Sequence, residues 1–417
     1  MSAEKPSIVQ IVGQSRLILG FFLLVSLALV AASAVSFQAP HLLGAEKYLT
    51  DFDAFHIAGT LAGEGRVADA YLASEMMKAQ AEISDTSSFM PWTYPPPFTL
   101  LMDGFAALPI GVAYTLFILA SFGFYLFVLH RIAGPWVPAV FIALMPVILL
   151  NLRTGQNGFL VAGLVGAFLL AWRDGKIVAG LPLGLLIIKP HLAVGAGLLA
   201  LLGRRWNVIA LAAAVVLASL AMATYAYGLP VWASFLVAVR EASDFLAKGQ
   251  YPLMRMSSVY SSLRSAGLPA SWAMAGHLTG ALTAVGLLCW VALAKMEFRY
   301  RAALICVLSL FVSPYNYDYD LAMLGIGLAF IMPDLADRVA APAMGALLAA
   351  AWVTGGYGIA AQLSLPTSVV GATNLDGDLA QAFICPLLIA LSLAIWWCIR
   401  SQPRASGELP VGAQRAV

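Results

Sequence analysis

The chain has 417 residues, 61% of them hydrophobic and only 11% charged, with 23 basic and 21 acidic residues and a formal net charge of +2. An ordinary soluble domain carries about a quarter charged residues, so this composition, with its mean hydropathy of +0.87, excludes a water-soluble globule. Nothing in the charge balance points to a nucleic-acid partner, and the membrane is the expected solvent along the whole chain.

Apolar runs near the ~20 residues that cross a bilayer recur from end to end. The first, Ile18 to Val35, follows a short basic stretch with Lys5 and Arg16. It is longer than the ~7–15-residue core of a secretory signal and reads as a retained first helix. Spans are expected near 17–37, 110–131, 135–151, 157–172, 177–188, 191–202, 206–227, 272–294, 301–313, 319–332, 339–359 and 378–399. The expected fold is therefore an all-α polytopic membrane protein, a single integral domain over 1–417 with about 12 transmembrane helices (roughly 10–13). Several are too short for a straight crossing and are expected to be tilted, broken or re-entrant.

With the N-terminus inside, the inner segments hold most of the 23 basic residues, among them Arg131, Arg173, Arg204, Arg205, Arg299 and Arg338, and the outer segments most of the 21 acidic ones. That is the asymmetry of the positive-inside rule. The same layout makes Pro95 to Leu108, apolar but closed by Pro109, a helix lying in the outer interface rather than a crossing. Two outer segments are substantial, 39–109 and 228–271. Polar residues gather at the outer ends of spans rather than at mid-bilayer, which suits an enzyme acting on a lipid-borne substrate better than a transporter.

The first outer segment opens with Asp51, Phe52, Asp53. A carboxylate at the edge of a low-dielectric slab has its proton affinity raised by partial desolvation and can serve as a general base; a solvated loop acid is the bland alternative. Trp92, Tyr94 and the prolines 95–97 suit a re-entry point at the interface. Arg153, followed by Gln156 and Asn157 among glycines, can bind an oxyanion through its planar fork or simply snorkel to water. Lys189, Pro190 and His191 interrupt an apolar hairpin. A lysine costs about 2.5–3.5 kcal/mol at a helix centre, so an anionic partner or a wet cavity is expected there. Tyr317, Asp318, Tyr319 and Asp320 set carboxylates among aromatic rings, a mixture that binds carbohydrate and also occurs in aromatic belts. The second segment adds Trp232, Arg240, Lys248, Tyr251, Arg255 and Tyr260, without individual roles. The four cysteines, Cys289, Cys306, Cys385 and Cys398, lie in or beside apolar runs without metal-ligand spacing. The chain carries no P-loop, dinucleotide fingerprint or HExxH, so no cofactor and no metal is expected.

In their order along roughly 15–335, these segments resemble glycosyltransferase family 87, the polyprenol-phosphate-mannose-dependent mannosyltransferases of the GT-C superfamily. The carriers are Asp51-Phe52 with Phe55, the stretch from Gly63 to Tyr71, Tyr94-Pro95-Pro96, Gly155-Gln156-Asn157, Ala179-Gly180, Ile188-Lys189-Pro190, Arg204-Arg205-Trp206, Ser313-Pro314-Tyr315 and Tyr319-Asp320-Leu321. The resemblance implies a GT-C type fold in a bacterial inner membrane. It further implies an inverting transferase that takes a sugar from a polyprenyl-phosphate carrier at the periplasmic face and passes it to a lipid or glycan acceptor. The early acidic position matches Asp51, with Asp53 in reserve. Arg153 and Lys189 are expected on the carrier phosphate, with Gln156, Asn157, His191, Tyr94, Tyr317, Asp318 and Asp320 completing the substrate site. An envelope-glycan polymerase or ligase, an acyltransferase and a secondary transporter share the hydrophobicity, although the internal repeat of a transporter is not seen.

Overall fold

A computed structural model describes residues 8–84, 89–364 and 381–401. Among the described residues the chain is helical throughout, without strands, apart from one isolated antiparallel bridge between Met256 and Tyr317. After α1 (Ile8–Gly13) comes α2 (Arg16–Gln38), whose first turn is capped by the Ser15 hydroxyl accepting from the Ile18 N–H. The segment 39–109 folds as four short helices, α3 (Asp51–Gly63), α4 (Val67–Ala70), α5 (Ala73–Ile83) and α6 (Pro96–Ala106). At 11 residues α6 is too short to cross a bilayer, as its closing proline implies.

A long helical run, Ile110–Thr154, follows; it breaks at Gly134 into α7 (Ile110–Ala133) and α8 (Val137–Thr154). Next come α9 (Gly158–Arg173), α10 (Gly180–Leu185), α11 (Val194–Leu202), α12 (Trp206–Tyr227), α13 (Pro230–Ala247) and α14 (Val259–Ser265). The bundle closes with α15 (Ala270–Leu293), α16 (Phe298–Ser309), α17 (Ala322–Arg338), α18 (Ala341–Leu363) and α19 (Ile384–Ser401). Seven helical runs are long and apolar enough to cross a membrane, and 158–173, 177–188 and 190–202 are shorter apolar helices. Each segment expected as a span carries helix, although 378–380 fall outside the described residues.

The run Asp318–Arg338 forms the centre of the bundle, 89% of its apolar window being buried, whereas α2 and α12 are each 17% buried and face outward. Outward faces are apolar, with Leu17, Leu217, Leu282 and Trp397 all exposed, as a surface solvated by lipid requires. Small residues let helices close up where side chains would hold them apart. A Cβ on Gly180 would stand 2.5 Å from the Val208 carbonyl oxygen and one on Gly184 2.6 Å from Val215, so α10 and α12 meet through a small-xxx-small face. Likewise Gly59 brings α3 against the Met102 carbonyl of α6. Phe52 and Phe55 of α3 enter an aromatic cluster with Phe37, Trp92, Tyr94, Phe98, Tyr114 and Phe117, which locks the 39–109 helices onto the bundle. The 228–271 segment docks on the same end through Glu241, which accepts from the Ala73 N–H at 3.2 Å.

Candidate active site

The apolar hairpin 177–202 breaks where the sequence demands it. Pro190 disfavours helix for the residue before it, and Lys189 adopts an extended φ of −143°. The lysine is thereby turned inward at the apex, 6% exposed, and its Nζ lies 2.7 Å from Asp320 Oδ1. It also stands 4.5 Å from the ring centre of Tyr319 and 5.8 Å from that of Tyr94. The anionic partner expected for this lysine is thus supplied by the chain itself. His191 is half-buried beside this pair, its Nε2 buried without a hydrogen bond.

The other elements converge on the same place. The α8–α9 turn requires Gly155, with φ +69° and a would-be Cβ 2.6 Å from Phe52, so only glycine closes it against α3. That closure presents Gln156, whose Oε1 accepts from the Asn157 N–H at 3.0 Å and from the Tyr94 hydroxyl at 3.3 Å. Burial holds the Tyr94 hydroxyl well above its ordinary pKa, so it acts as a neutral donor. Asn151 donates to the Tyr319 carbonyl at 3.1 Å, tying this turn to the start of α17. There Tyr317 and Tyr319 stack with ring centres 5.3 Å apart and planes 9° from parallel.

Three carboxylates meet here, Asp320, Asp318 and Asp51, and a fourth, Asp53, stands two residues along α3; they differ in what neutralises them. Asp320 accepts from Lys189 and from the Tyr317 N–H. Asp318 is held by both arms of Arg255, each at 3.0 Å; burial opposes the charge of that guanidinium, but Asp318 beside it holds its pKa well above the ordinary value. Asp53, 1% exposed, caps α3 by accepting from the Thr50 N–H at 2.8 Å and pairs with Lys47 at 2.6 Å. Burial raises its proton affinity against the pull of Lys47. Asp51, half-buried in the first turn of α3, makes no hydrogen bond or ion pair among the described residues. Its charge is within electrostatic reach of Tyr94, Arg255, Tyr317 and Asp318.

Of the residues singled out from the sequence, Asp51, Tyr94, Gln156, Asn157, Lys189, His191, Tyr317, Asp318 and Asp320 therefore meet around one end of the bundle. Arg153, at the last turn of α8, is exposed and makes no hydrogen bond, ion pair or ring contact with any of them. Two residues gain a place that the sequence reading left blank. Arg255 has no role legible in the sequence, because its partner lies 63 residues away. Lys47 is the other; a lysine six residues before an N-terminal helix acid is the signal in the sequence that points to it. Tyr251 and Tyr260 prove to be core residues of the second segment, Tyr260 donating to the Leu246 carbonyl. No group of three or more His, Cys, Asp and Glu side chains able to hold a metal ion is found among the described residues.

Compared with known proteins, residues 92–314, more than half of the chain, match the model of glycosyltransferase family 87. No curated protein and no solved structure matches the chain.

Proposed function

The chain belongs to glycosyltransferase family 87 and is a membrane-embedded glycosyltransferase, and from this premise we propose that it is an inverting mannosyltransferase using a polyprenyl-phosphate donor at the periplasmic face of a bacterial inner membrane. The observation that carries the reading is the contrast among the four carboxylates: three are neutralised by a cation at salt-bridge distance, and Asp51 has none among the described residues. A base must be free to take a proton; a carboxylate already committed to a lysine or an arginine is not.

In the proposed reaction Asp51 accepts the proton of an acceptor hydroxyl as that oxygen attacks the anomeric carbon. The bond from that carbon to the carrier phosphate breaks on the opposite face, so configuration inverts and polyprenyl phosphate leaves. Lys189 and Arg153 are the cations proposed for the phosphate, Arg153 as the fork still free for a ligand and Lys189 by sharing itself between Asp320 and the donor. The half-buried rings of Tyr94 and Tyr317 and the amides of Gln156 and Asn157 offer the faces and donors that a sugar ring needs. The acceptor is a lipid or glycan of the cell envelope.

The direct assay incubates the purified protein in lipid nanodiscs with radiolabelled polyprenyl-phosphate-mannose and a membrane extract as acceptor. Transfer of label with release of polyprenyl phosphate is expected, and Asp51→Asn is expected to remove it. No transfer by the wild-type protein from this donor, alongside transfer from a nucleotide-sugar donor, overturns the reading.

A further inference from the structure

At the end of the bundle opposite these residues lies a second concave site. Helix α9 runs 16 residues from Gly158, next to Asn157, to Arg173, about 24 Å along its axis. Beyond it the α9–α10 turn faces the α11–α12 turn across a cavity of about 300 Å³ lined by Gly175, Ile177, Arg204, Arg205, Trp206 and Asn207. The motif Arg204-Arg205-Trp206 stood out in the sequence and has no part in the site described above.

Among the described residues neither arginine has a carboxylate partner. Arg205 is fixed in place, its Nη1 donating to the Trp172 carbonyl at 2.7 Å and its guanidinium lying 4.1 Å from the Trp172 ring centre. Arg204 is exposed, makes no hydrogen bond or ion pair among the described residues, and has a φ of +53°, the only non-glycine positive φ among them. A left-handed arginine at an exposed turn is held there against its own preference. The nearby acid, Asp174, is already shared between Arg173 and Lys176, and no acidic residue lines the cavity. Of the lining residues Ile177 and Trp206 are apolar and exposed, and Val178, Leu181 and Leu201, within four residues of the lining in sequence, are exposed as well. One free arginine fork and a second arginine anchored on Trp172, in a hollow with exposed apolar side chains on both of its turns, match a phosphate carried on an acyl-chain lipid.

We propose that this cavity binds the phosphate of an anionic phospholipid headgroup, with Arg204 and Arg205 on the phosphate oxygens and the acyl chains along the Ile177–Leu181 and Leu201 faces. The site is separate from the proposed donor site and rests on none of its residues.

Native mass spectrometry of the delipidated full-length protein in detergent tests this with two probes, short-chain phosphatidylglycerol and inorganic phosphate. The wild type is expected to take up one phosphatidylglycerol with saturable affinity. Arg204→Gly, which removes the fork while accommodating the positive φ, should weaken that uptake about tenfold, the scale of one charge-assisted contact. Asn207→Asp places a like charge in the cavity wall but suits the first turn of α12, so it should lower uptake without lowering melting temperature. A purely structural role for this turn gives the opposite pattern. Arg400→Ala, remote in sequence on α19, should bind as the wild type does. Uptake of phosphatidylglycerol with no measurable phosphate binding supports a lipid site. Tight binding of inorganic phosphate alone, equal uptake by wild type and Arg204→Gly, or equal loss in Arg400→Ala each overturns it.

Discussion

Two acidic residues two positions apart on one helix have opposite surroundings, and the difference carries testable consequences. Asp51→Asn is expected to reduce single-turnover transfer by about 10²–10⁴-fold with an unchanged melting temperature, because it removes a base and no ion pair. Asp53→Ala leaves Lys47 unpaired and the first turn of α3 uncapped, so the melting temperature should fall first, with turnover retained in the folded fraction. Retained turnover in Asp51→Asn with loss in folded Asp53→Asn transfers the base to Asp53. Lys189 and Asp320 make a double-mutant cycle informative. Either single alanine strands a buried charge at a cost of about 3–5 kcal/mol, whereas the double variant should recover much of the stability and none of the donor affinity. Thermal melts with and without donor separate the two effects. The residues by themselves do not separate Asp51 from Asp53, and only the family resemblance puts Asp51 first; their different surroundings depend on Lys47 folding back over α3. Arg255 was equally hidden, because its meaning lies in Asp318.

Element by element, the long apolar helices were legible because their only requirement is length without charge, and α2, α12, α15 and α18 meet it without help from neighbours. The broken pieces were legible for a different reason: Pro190 and the misplaced lysine announce a break at the apex of 177–202. Unreadable were the partners of the glycines. Gly184→Val puts a branched side chain where a single Cβ already stands 2.6 Å from Val215, and should destabilise the protein by about 1–3 kcal/mol; Gly20→Ala, with nothing within 4 Å, should be neutral. Gly358 bears on the site more directly, since a Cβ there would lie 2.6 Å from the Asp318 carboxylate oxygen that Arg255 holds. Gly358→Ala should therefore lower transfer more than it lowers melting temperature, and equal losses in both would reduce α18 to a packing element.

On the scale of the whole molecule, the charge asymmetry of the loops predicts a sidedness. In a variant without the four cysteines, Arg66→Cys should react with an impermeant maleimide added to intact spheroplasts, and Arg204→Cys only after permeabilisation; the reverse pattern inverts the protein. Both positions are exposed, so access to the reagent is set by side alone. The gathering of distant segments was visible in the sequence only as an ordered set of motifs. Hydropathy decides which residues lie in lipid, but it carries no information on which helix end meets which, and the Lys189–Asp320 and Arg255–Asp318 contacts are of that second kind.

The separation of Lys189 from Asp320 has a consequence for how the protein is made. The two are 131 residues apart in the chain. At a synthesis rate of about 5–20 residues per second, the lysine leaves the ribosome on the order of ten seconds before its counter-charge exists. Throughout that interval the 177–202 hairpin carries a bare ammonium at its apex, between two apolar helices. Stable burial of the apex has to wait for the start of α17, so a nascent chain halted before Asp320 holds an uncompensated charge between two apolar helices and should be degraded faster than one halted after it.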